Sequence, residues 1–229
     1  MAPSEDRPGP SGPPARRPRD PGRTKRDILV AAREEFVEFG LDGARIDRIA
    51  ERAGANKRML YHYVGNKEAL YARVLLDAYR EIREGEEALH LGELPPALAM
   101  EELVGFTFDH FRQHPWFLRL LATENIQRAG YLREMPEIRA MHSPLVAQIR
   151  AVLAAGEAAG NFRPGVDAVQ LYITIAGISY FYMSNIHTLS VIFDAALDEE
   201  PAMAARRGHA VEVVLGYLRP DPGEGGPRG

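Results

Sequence analysis

Seven prolines divide the stretch from Arg23 to Arg219: Pro95, Pro96, Pro115, Pro136, Pro144, Pro164 and Pro201. A proline inside a helix removes a backbone hydrogen bond and collides with the preceding turn, while one at a helix start costs little. These positions therefore act as punctuation for helices. Between them, apolar residues recur every three or four positions, and no long alternating strand pattern appears. The spacing predicts an all-α chain of about nine helices with essentially no sheet. The most apolar segment, Leu171 to Met183, carries Thr174 and Ser179 and falls short of the roughly 18 uninterrupted apolar residues of a membrane span. The first residues lack the apolar core of a signal peptide, so a cytoplasmic location and no membrane partner are expected.

Charge and proline are unevenly spread. The whole chain has 28 Lys+Arg against 32 Asp+Glu, a formal charge of −4, which on its face argues against a nucleic-acid partner. Residues 1–80, however, hold 16 basic and 12 acidic side chains, a net +4, and the remainder holds 12 and 20, a net −8. Such polarity marks a basic binding end on an acidic body. Residues 1–22 contain seven prolines and three glycines, and are expected to be a disordered arm. Arg16, Arg17, Arg19 and Arg23 make it basic enough to lie along phosphates. Residues 220–229 are expected to be a second disordered tail. Between the tails, residues 23–70 form one expected unit and residues 71–219 another.

The first unit carries the sharpest signal. Helix 1 opens near Thr24, places Ile28, Ala32, Phe36 and Phe39 on one face, and ends at Gly40. A second helix carries Ile46, Ile49, Ala50 and Ala53 and closes at Gly54. Asn56 then caps a short third helix, Lys57 to Tyr63. Two short helices joined by a glycine-containing turn form a helix-turn-helix. Leu60 and Val64 would join Phe36, Ile46 and Ile49 in a small core. Lys57, Arg58, Tyr61 and His62 would then point outward, offering cations, a hydroxyl and an imidazole to a DNA groove. A fourth helix begins at Asn66, with Lys67 beside an N-terminus that attracts anions.

The run IDRIAERAGANKRMLYHYVGNKEALYARVL, Ile46 to Leu75, resembles the DNA-binding signature of the TetR family of bacterial transcriptional regulators. HPWFLRLLATENIQRAG and ITIAGISYFYMSN resemble one group of TetR-type C-terminal domains. The resemblance implies a homodimer that binds a near-palindromic double-stranded operator as a repressor, with half-sites roughly one helical turn (~34–36 Å) apart. It also implies a small-molecule inducer bound in the C-terminal domain. Carried over by position, Arg45 and Lys67 match phosphate contacts. Lys57, Arg58, Met59, Tyr61, His62 and Tyr63 match recognition-helix positions, with Tyr63 at the edge of the buried face. Arg58 and Met59 stand where Gly-Thr is frequent, Ala44 and Arg45 where two hydroxyl residues are frequent, and Val64 where Phe is usual. These departures leave the operator sequence open.

Helix 4 is expected to run to about Leu91, linking the two units through Leu70, Val74 and Ala78. In the body, Glu124 and Asn125 sit in an apolar segment, where a carboxylate needs a partner, solvent or a ligand. Together with Trp116, Tyr172 and Tyr180 they are the candidate ligand-binding residues, each of which also suits an ordinary core or pairing role. The helix from Asp167 onward is apolar nearly all round, and with a last helix from about Ala202 to Leu218 it suits a four-helix interface with a second subunit.

Catalysis finds no support. The chain has no cysteine, which removes thiol nucleophiles and thiolate metal sites. No phosphate-cradling glycine loop or nucleophile elbow occurs. His110 and His114 have chelating spacing, but Pro115 biases His114 out of helical geometry. No enzyme activity, cofactor or metal is expected. The competing reading is a DNA-binding adaptor or activator whose C-terminal domain binds a protein. A partly polar pocket beside Glu124 and Tyr180 would favour a metabolite, and a solid core there the adaptor.

Overall fold

The computed structural model describes residues 21–220, so Arg16, Arg17, Arg19 and most of both expected tails lie outside the described residues. Within that range the protein is all-α, as its proline and apolar spacing predicts. The helices are α1 (Pro21–Gly43), α2 (Ile46–Arg52), α3 (Lys57–Val64), α4 (Lys67–Glu87), α5 (Pro96–Gln113), α6 (Pro115–Ile126), α7 (Pro136–Ala158), α8 (Ala168–Ile192) and α9 (Glu200–Leu218).

Local signals set most boundaries. Gly40 takes φ 66°, ψ −179° and breaks α1 where the sequence places its end. The start differs: α1 opens at Pro21 rather than at Thr24, so Gly22 and Arg23 belong to its first turn. Proline at the first helical position explains the earlier start. Asn56 and Asn66 accept hydrogen bonds from the N–H groups of Met59 and Ala69, both at 2.7 Å, and Asp167 does the same for Gln170 at 2.8 Å. Helix α4 ends at Glu87, short of Leu91. A 3-10 turn, Leu91–Glu93, carries the Leu91 side chain into full burial instead.

Pro144 departs from its punctuating role, because α7 runs through it. The ring removes one backbone bond and disfavours the turn by about 3 kcal/mol. The same helix buries Leu145, Ile149, Val152 and Leu153, each worth about 1.5–3 kcal/mol, so burial outweighs the break.

The expected small core of the first unit is only the end of a larger one. Phe36, Ile49 and Leu60 are buried, with Ile46 and Val64 packed against them. The same apolar cluster continues through Tyr71, Val74 and Ala78 of α4 to Phe111 of α5 and Phe117, Leu118 and Leu120 of α6. A second core surrounds α5, where Met100, Leu103 and Val104 meet Ile149 and Val152 of α7, Leu171 and Ile175 of α8, and Ala210 and Val214 of α9. Gly156 makes the return from α7 possible, because a Cβ there would lie 2.0 Å from the Phe162 ring.

Candidate nucleic-acid interface

Helices α2 and α3 are held at a fixed angle by a turn and a buried carboxylate. Gly54 adopts φ 58°, and the Ala55 N–H bonds back to the Ala50 carbonyl at 2.9 Å. Glu35 of α1 is fully buried. Its carboxylate accepts from the Arg45 N–H at the start of α2 (2.9 Å) and from Arg48 Nε (2.6 Å), with Arg52 3.9 Å away. Burial alone would raise this carboxyl's pKa, but the Arg48 and Arg45 hydrogen bonds and the nearby guanidinium charges hold it below the ordinary glutamate value.

That frame presents α3 to solvent. Leu60 is buried, while Lys57, Arg58, Tyr61 and His62 are exposed. Met59 and Tyr63 are half-buried, and Tyr63 packs against the core with its ring edge-on to His62 at 5.6 Å. Lys57 is paired with Asp47 of α2 at 2.7 Å, and this bond raises its pKa, keeping it charged. Arg45 is exposed at the head of α2. Lys67 Nζ lies 3.4 Å from the Ala44 carbonyl and 3.5 Å from that of Asp42, so its charge sits over the α1–α2 turn close to Arg45. The structure thus gathers the sequence-derived DNA residues around one short helix. Its size suits a major groove about 12 Å wide.

Residues 28–74 match the family model described as bacterial regulatory proteins, tetR family. Residues 96–214 match that of the tetracyclin repressor-like C-terminal domain. The chain belongs to the TetR family. It is 37% identical to the HTH-type transcriptional repressor NicS of Pseudomonas putida over 197 residues, 86% of this chain and 93% of that protein. It is 27% identical to the HTH-type transcriptional regulator RutR of Escherichia coli over 206 residues, 86% and 91% of the two chains. Among solved structures, SCO4942 of Streptomyces coelicolor superposes with a TM-score of 0.65 at 29% identity, over 85% of this chain and 98% of that one.

In this TetR-family chain the five body residues singled out from sequence do not converge on one site. Asn125 is exposed, and its amide donates to the Leu121 carbonyl of its own helix. Trp116 is half-buried at the joint between the units, where the Arg33 guanidinium of α1 lies 4.1 Å from its ring centre. Glu81 of α4 bridges Arg33 and His114, at 3.6 and 3.0 Å. His114 has left helical geometry (φ −123°, ψ 60°), and its ring stacks on His110 at 4.3 Å. Glu124 is buried, with the Leu132 N–H 3.4 Å from Oε2 and Oε1 without a hydrogen-bond partner. Tyr180 is half-buried, edge-on to Phe111 at 6.2 Å.

Tyr172 leads to a site that sequence reasoning missed. Its hydroxyl accepts from Arg83 Nη2 at 2.6 Å and lies 3.4 Å from Glu86 Oε1. Arg83 and Glu86 are buried and paired at 2.7 Å. They form one wall of a cleft of about 290 Å³ between α4 and α7. Neither Glu124 nor Tyr180 lines this partly polar cleft. The register of α4 held the clue. The buried stripe Tyr71, Leu75, Ala78 and Ile82 continues at helical spacing to Glu86, placing a carboxylate where an apolar residue belongs.

Proposed function

We infer that this TetR-family protein is a transcriptional repressor that binds a near-palindromic operator as a homodimer and releases it when a small molecule binds the C-terminal body. The exposed face of α3, with Arg45 and Lys67 beside it, carries the reading. Arg58 and its neighbours on α3 reach base edges, while Arg45 and Lys67 grip phosphates. The names of the curated relatives, NicS among them, support repression over the adaptor reading. Residues 23–70 serve as the DNA-binding unit and residues 71–219 as the effector and dimerisation unit.

Dimerisation uses α8 and α9. On α8, Val169, Ile173 and Phe181 are exposed in a four-residue ridge that includes Gly177, where an added Cβ would meet open space. Val213 and Tyr217 of α9 are likewise exposed. Apolar ridges of this kind suit helix packing across a two-fold axis.

The test is selection of bound DNA from a random pool, followed by binding of the selected site as a function of salt. A near-palindrome bound by two protomers is expected. Recovery of no preferred sequence would overturn the reading.

A further inference from the structure

We propose that the cleft between α4 and α7 is the effector site and that it takes a small monocarboxylic acid, its carboxylate docked on Arg83. This inference rests on the reading of the protein as an effector-controlled repressor and names the chemistry of that effector.

Arg83 is 8% exposed and lines the cleft. Nη2 donates to Glu86 and to Tyr172 and Nη1 forms an ion pair with Glu86 Oε2 at 2.7 Å, but neither Nη1 nor Nε has a hydrogen-bond partner. A buried donor without an acceptor costs about 1–3 kcal/mol, more when charged, so its natural complement is an acceptor arriving with a ligand. The guanidinium charge and the unpartnered Nε suit a carboxylate oxygen, whereas Nη2 and the Tyr172 hydroxyl already donate to Glu86. A cationic ligand would instead meet a like charge on the guanidinium.

The surroundings restrict the acid further. Glu86 beside Arg83, with Glu84 and Glu87 also lining the cleft, opposes a second negative charge on the ligand. Met141, Pro144 and Leu145 of α7 offer an apolar wall for the rest of the molecule. The volume stands at the lower end of the roughly 300–1,000 Å³ of small-molecule sites, which favours a compact acid over a long acyl chain.

Glu86 accommodates the added charge. Burial pushes its carboxyl up to about 7, although Arg83 and the Tyr172 hydroxyl pull the other way. Arg80, Glu84 and Glu87 line the same cleft from α4. Arg83 also acts on His110 from α5 and His142 from α7, both of which burial keeps neutral. A carboxylate arriving at Arg83 therefore favours proton uptake by Glu86. Because Arg83 and Glu86 share α4 with Lys67, the ligand acts on the helix that carries a phosphate contact.

The experiment titrates the purified full chain by calorimetry with benzoate, phenylacetate and hexanoate, each against its primary amide, and repeats operator binding with each acid present. At least one acid is expected to bind tenfold or more tightly than its amide, to take up a proton near pH 7.5, and to weaken operator binding. The double variant Arg83→Gln/Glu86→Gln, which avoids stranding a buried charge, should lose at least tenfold in acid affinity while binding the operator normally without acid. Amides that bind as well as the acids, undiminished binding by the double variant, or no binding of any of the three acids would overturn the proposal. Loss of operator binding by every form, with acid binding intact, would instead remove the repressor reading.

Discussion

Glu35 of α1 and Glu86 of α4 are both buried carboxylates, and their surroundings shift them in opposite directions. Near the helix-turn-helix, Glu35 is held by Arg48, the Arg45 N–H and the nearby Arg52 charge, and its pKa falls despite burial. In the body, Glu86 pairs with Arg83 and its pKa rises to about 7, while Arg83 Nε and Nη1, His110 Nε2 and Glu124 Oε1 lack hydrogen-bond partners. Glu35 Oε1, bonded to the Arg45 N–H and to Arg48 Nε, fixes the start of α2 and so suits a unit that must present α3 in one orientation, although Oε2 has no hydrogen-bond partner. Polar atoms left over inside a body create demand for an outside partner. The frame that holds α2 and α3 and the body's unmatched polar atoms thus lie on different helices, Glu35 on α1 and Glu86 on α4.

The largest expected effect tests whether the halves are mechanically one. Leu60→Ala removes a fully buried side chain from α3 and should cost about 2–5 kcal/mol. Because the apolar cluster runs from α1 to α6, the variant should still unfold in one denaturant transition reported by circular dichroism and by tryptophan fluorescence. Two separate transitions would break the comparison at its foundation.

A second test concerns acid. Burial, helped by the charges of His114 and Arg83, lowers His110 to about 4 from its ordinary 6.5. Between those values the unfolded chain binds a proton that the folded one refuses, so stability is lost as pH falls from 6.5 toward 4. The loss should approach about 3 kcal/mol by the linkage of 1.36 kcal/mol per pKa unit. Urea unfolding of the wild type and His110→Phe across that range should show the slope flattened in the variant.

Smaller effects belong to the DNA end. Arg58→Ala should relax base preference by about 1–3 kcal/mol at one position, measured against single-base operator variants. Lys67→Ala should weaken all sequences alike and reduce the salt slope by about 1. Equal behaviour of the two variants would erase the division between base and phosphate contacts. Last, Asn56→Ala should cost about 1 kcal/mol of stability by removing the cap on Met59 N–H, read from chemical unfolding.

The same contrast explains what the sequence could disclose. Asn56, Asn66, Gly40 and Gly54 act on backbone groups within a few residues of themselves, so the helix-turn-helix is legible locally. Net charge misleads until it is split by position, because the acidic body masks the basic end. The buried cluster of Arg83, Glu86 and Tyr172 depends on Arg83 meeting Tyr172, 89 positions later, and no local pattern reports such a meeting. Asn125 shows the converse: a polar residue in an apolar run satisfied itself on its own helix. Pro144 was overruled by the burial of its neighbours, an outcome of tertiary packing.

The Arg33–Trp116 contact has a practical consequence. Trp116 is the chain's single tryptophan, and it stands where α1 of the DNA-binding unit meets α6 of the body. A guanidinium over the indole face and an imidazole at its edge make its emission sensitive to small displacements of either neighbour. The protein therefore carries a built-in optical gauge of the joint, readable without a label.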